Sequence, residues 1–154
     1  MPIEGMVDAL RKAMPLVDRD GCIVDIHPTE TPASVRVGDV GVGIVDGGVA
    51  MDRHAAAGKA VAASVRDGLW EITKVVEFNF HTYADTAEEL RDYVAATWRN
   101  GRIDERTVAA TRNALRTSPG GVRPRTVEWV RLTVLRRVHR AAGNDDGVKW
   151  NARV

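Results

Sequence analysis

The chain has 154 residues, enough to bury the core of one ordinary domain. With 44% hydrophobic and 28% charged residues it has the composition of a globular domain, not of a disordered chain. A net charge of +1 gives no general reason to expect nucleic acid or an anionic membrane as partner, and a single cysteine, Cys22, excludes an intramolecular disulfide and a cysteine-built zinc cage.

Residues 1–17 carry acids where a signal peptide would be basic, and no stretch approaches the roughly 20 apolar residues of a membrane span. A soluble, cytoplasmic protein is the resulting expectation. Val7, Leu10, Met14 and Val17 recur at helical spacing opposite Asp8, Arg11 and Lys12, which predicts an amphipathic helix over 4–17. The turn Asp18-Arg19-Asp20-Gly21 follows, and Cys22 to Ile26 is a short β-branched run that reads as a buried strand ended by Pro28. Val35–Val37 and Val40–Ile44, separated by Gly38-Asp39, predict an antiparallel hairpin, or one long strand with a bulge at Gly38. Met51 to Arg66 is an alanine-rich helix, whose small residues suggest close packing in place of a ligand pocket.

Leu69 to Asp85 is the dominant feature. Trp70, Ile72, Lys74, Val76, Phe78 and Phe80 alternate with Glu71, Thr73, Val75, Glu77, Asn79, His81 and Tyr83. Such a period of two predicts a half-buried strand with both phenylalanines in the core. Thr86 and Glu89 form a capping box for a helix carrying Leu90, Val94 and Trp98, and Asp104 caps another with Val108 and Thr111 inward. Val127 to Val138 is a second long strand, with Val130, Leu132 and Val134 on its apolar face and Trp129, Arg131 and Arg137 opposite. The arginines at 123, 125, 131, 136, 137 and 140 form a basic cluster that suits an edge strand guarded against aggregation. The predicted fold is α/β: a mixed sheet of about four or five strands with flanking helices over 1–140, and a polar tail over 141–154.

Chemistry concentrates at two strand ends. Asp25 and His27 lie at the end of the first strand, His81, Tyr83 and Asp85 at the end of the long one. Ligands bind open α/β sheets at such ends, and a histidine beside a carboxylate is a competent general base. Asp25, His27, His81 and Tyr83 are therefore the candidate catalytic group if the two strands are neighbours. His54 reads as a surface or interface residue and His139 as solvated; no histidine pair has metal spacing.

MVDALRKAMPLVDRDGCIVDIHP resembles the part of class I S-adenosylmethionine-dependent methyltransferases where a helix ending in L.PGG leads into the fifth strand. Asp20-Gly21 stands at the glycine turn and Cys22–Ile26 at the strand. The strands around Phe80 and Leu132 are similar to that family's antiparallel sixth and seventh strands, and FNFHTYADTAEELRDYVAATW is similar to the helical insertion between them. The resemblance covers most of residues 5–140. It implies the rear half of a Rossmann-like scaffold, without the strand, glycine-rich turn and acidic residue that hold the cofactor. Gly38-Asp39-Val40-Gly41-Val42-Gly43 is a poor substitute, because valines continue where a helix N-terminus is needed. The expected function is thus a non-catalytic, methyltransferase-like remnant acting as an interaction or oligomerisation domain. Its exposed sheet edge would be covered by a second copy or a partner protein. Two alternatives stand beside it. One is a subunit of a split methyltransferase whose partner supplies the S-adenosylmethionine site; the other is a small-molecule-binding protein or enzyme using the Asp25, His27, His81 and Tyr83 group.

Overall fold

A computed structural model describes residues 3–48 and 50–138; the tail 141–154, with His139 and Arg140, lies outside them. Helix α1 spans Ile3–Ala13 and runs into a 3-10 turn at Met14–Leu16. Strands β1 (Cys22–Pro28), β2 (Ser34–Val37) and β3 (Val40–Ile44) follow, then α2 (Ala50–Arg66), β4 (Trp70–Tyr83), α3 (Ala87–Thr97), α4 (Glu105–Thr117) and β5 (Pro124–Arg137). Local signals set most of the boundaries. The Asp104 carboxylate and the Thr86 hydroxyl accept the Thr107 and Glu89 amides at 2.7 and 3.0 Å, satisfying donors that a helix start leaves unpaired. The other arm of the box departs from expectation: Glu89 accepts from the Asp85 amide, not from Thr86. Gly38 turns the β2–β3 hairpin at φ +56°, where a Cβ would be strained.

The five strands form one open sheet, and every pairing is antiparallel. The α/β sheet of about four or five strands is found, with antiparallel pairing throughout in place of the expected mixed pairing. β5 is the central strand, so its arginines do not guard an edge. One side of β5 takes β4 along its whole length; the other takes β1 beside residues 130–136 and β2 beside 124–127.

The helix pairs cover opposite faces at opposite ends. Helices α1 and α2 pack where Ile23, Trp70 and Leu135 share a face, joined by Val61, Leu10 and Met14. Helices α3 and α4 lie at the hairpin end, where Val35, Leu90, Val94 and Val108 are buried together. A Cβ on Gly43 would meet the Thr107 side chain at 2.3 Å, so this glycine is what lets α4 approach β3.

The alternating stripe of β4 does not stay on one face. A bulge between Ile72 and Lys74 shifts the register, so Trp70 and Ile72 turn to the α1–α2 face while Val76, Phe78 and Phe80 face the other way. Trp70 is 1% exposed, whereas Phe78 and Phe80 are 38% and 53% exposed. The phenylalanines are therefore not core. Among the described residues no helix covers their half of the face, where Val24 and Ile26 of β1 are exposed as well.

Candidate functional site

On the α1–α2 face, register places His27 of β1 beside Arg131 of β5, and Arg131 beside Glu77 of β4. Asp25 precedes His27 by two residues on a strand, so both side chains leave the same face. They meet: His27 Nδ1 lies 2.7 Å from Asp25 Oδ2, with the two side chains 12% and 25% exposed. A carboxylate only accepts, so the Nδ1–H donates, and the tautomer with its one proton on Nδ1 presents Nε2 as an acceptor. That nitrogen faces α2, 3.8 Å from where a Cβ on Gly58 would sit. Arg131 donates from Nε and Nη2 to Glu77 Oε1 at 2.9 and 2.7 Å.

Between α2 and these strands runs a groove of about 450 Å³, lined by His27, His54, Gly58, Glu77, Trp129 and Arg131. Beyond the Glu77–Arg131 pair a recess of about 300 Å³ continues past Val61, Ile72 and Val75. His54 comes from the first turns of α2. Burial lowers its pKa below the ordinary 6.5, against a hydrogen bond to the Thr29 backbone that raises it; nearby His27 lowers it further. Its Nδ1 is buried and has no hydrogen-bond partner among the described residues.

His81 and Tyr83 also share this face and lie together, Nδ1 to hydroxyl at 3.2 Å with their rings in an edge-on contact. Arg125 sits over the Tyr83 ring at 5.9 Å. They do not join the first pair. Because β5 separates β1 from β4, and His81 is displaced along β4 from Glu77, the two histidines are about 16 Å apart from strand spacings of about 4.8 Å and rises of about 3.4 Å per residue. The expected four-residue group is two separate pairs. Asp85 is also drawn elsewhere, to Arg123 at 2.8 Å.

The sequence reading took His54 for a surface or interface residue and did not single out Gly58, since nothing in an alanine-rich helix says which strand it will cover. Glu77 and Arg131 could have been found from alternation, which puts each on the polar face of its strand. No group of three or more His, Cys, Asp or Glu side chains is placed to hold a metal ion among the described residues. None of their helices is long and apolar enough to cross a membrane. No protein-family model, curated protein or solved structure matches the chain.

Proposed function

We propose that this chain is a non-catalytic, methyltransferase-like remnant that works as an oligomerisation domain, pairing with a second copy through β4. The observation that carries the proposal is the state of that strand. Among the described residues no strand pairs with its outer edge, and Val75, Val76, Phe78, Phe80 and Tyr83 are 37–53% exposed. A long edge strand with exposed apolar side chains is a template for further pairing.

The occupant follows from the strand's own charge pattern. Two copies of β4 related by a two-fold axis through Asn79 set Phe78 against Phe80, Val75 against Tyr83 and Glu77 against His81. A two-fold through Glu77 would oppose two carboxylates instead, which is destabilising. On this reading β4 and β5 stand for the sixth and seventh strands of the methyltransferase scaffold, and their antiparallel pairing throughout is what supports it. A split enzyme is favoured by one observation, the outer edge of β1, which has no strand partner among the described residues; a missing half would join there.

Light scattering coupled to size exclusion should return twice the chain mass of 16.8 kDa, and Phe80→Glu should return the monomer with an unchanged circular dichroism spectrum. A monomeric wild type at about 100 µM overturns the dimer. Saturable binding of S-adenosylmethionine by the isolated chain, followed by calorimetry, overturns the non-catalytic reading.

A further inference from the structure

We propose that the groove between α2 and the sheet binds a small amphiphilic amine, its ammonium group at His27 and its alkyl chain along the recess beyond. The argument rests on which polar atoms are already engaged. The guanidinium of Arg131, the strongest donor in the groove, is held by Glu77. The Nδ1–H of His27 is held by Asp25. Among the groups left over are three acceptors: the Nε2 of His27 facing Gly58, the orphaned Nδ1 of His54, and the carboxylate of Glu30, which lines the groove.

Charge points the same way. Glu30 and Glu77 line the groove with one fixed cation, Arg131, Asp25 stands behind His27, and burial favours neutral His54. A ligand rich in N–H donors and bearing a positive charge satisfies this set, whereas a carboxylate would have to compete with Glu77 for Arg131. Trp129, 42% exposed and lining the same groove, offers an aromatic face, which attracts ammonium groups. Past the Glu77–Arg131 pair the lining turns apolar at Val61, Ile72 and Val75, so the cation should carry a hydrocarbon tail. Gly58 matters by what it lacks: any side chain there would enter the space in front of the His27 Nε2.

The test is a titration of ¹⁵N-histidine-labelled full-length protein with n-hexylammonium, and separately with n-hexanoate, followed by NMR. Saturable shifts of the His27 and His54 imidazoles with the amine, and at least tenfold weaker binding of hexanoate, are expected. His27→Gln should weaken the amine about tenfold, and Gly58→Leu should abolish its effect while the amide spectrum stays dispersed. If Gly58→Leu does not fold, Glu30→Gln serves in its place, with an expected loss of severalfold. Absence of saturable shifts, equal or tighter binding of hexanoate, or unchanged amine affinity in both His27→Gln and the second variant would each overturn the proposal.

Discussion

Burial disfavours the charged forms of Glu128 and His54, with opposite consequences for pH. Burial pushes the Glu128 carboxyl above its ordinary 4.5, so the folded chain holds a proton that the unfolded chain has already released. Its contribution to stability is complete below about pH 4.5 and is lost as pH rises through the folded value. Glu128→Gln should therefore raise the melting temperature at pH 7 and change nothing at pH 4, measured by calorimetry at both values. Burial lowers His54 below 6.5, and the sign reverses: its contribution is present above pH 6.5 and is lost as pH falls through the folded value. Urea midpoints of wild type and His54→Gln should diverge above pH 6.5 and converge below it. Asp104→Ala removes a helix cap that accepts the Thr107 amide and should lower the urea midpoint.

At the scale of elements, β4 illustrates how far pattern reading reaches. Its alternation predicted a strand over 69–85, and Trp70–Tyr83 is one. The same alternation predicted burial of Phe78 and Phe80, which does not follow, because alternation says that a face is apolar and not that anything lies on it. The bulge before Lys74 then divided the stripe, and no residue type in that stretch announces it. Leu135 is the converse: it fell on the face read from Trp129 and Arg131 as polar, yet it is completely buried beneath α1 and α2. Leu135→Ala should cost about 2–5 kcal/mol, whereas Phe80→Ser, measured on the monomer, should cost under about 1 kcal/mol. The Asp25–His27 pair was legible because two residues on one strand determine a common face. His54 was not, because its place depends on how α2 docks, a matter of packing between segments far apart in sequence.

For the whole molecule, the diagonal placement of the helix pairs produces two small cores in place of one. One holds Trp70, Leu135 and Val61, the other Val35, Leu90, Val94 and Val108. Their common element is β5, whose side chains reach under α1–α2 at Leu135 and whose other end pairs with β2 beneath α3–α4. The caps, turns and helix faces were readable locally; this division was not, since it arises only when β5 runs between β1 and β4.

The order of synthesis gives that central position a further meaning. Of the described strands β5 comes last, yet β1, β2 and β4 all pair with it. A nascent chain that has not reached Pro124 can close only the β2–β3 hairpin; β1 and β4 wait with both edges open. Sheet formation must then proceed through contacts between distant residues, from Cys22 with Arg136 to Trp70 with Arg137, which slows folding. The exposed phenylalanines of β4 are therefore a hazard on the ribosome. Chaperone dependence during expression is the expected outcome, to be read as a soluble yield that falls when trigger-factor-type holdases are depleted.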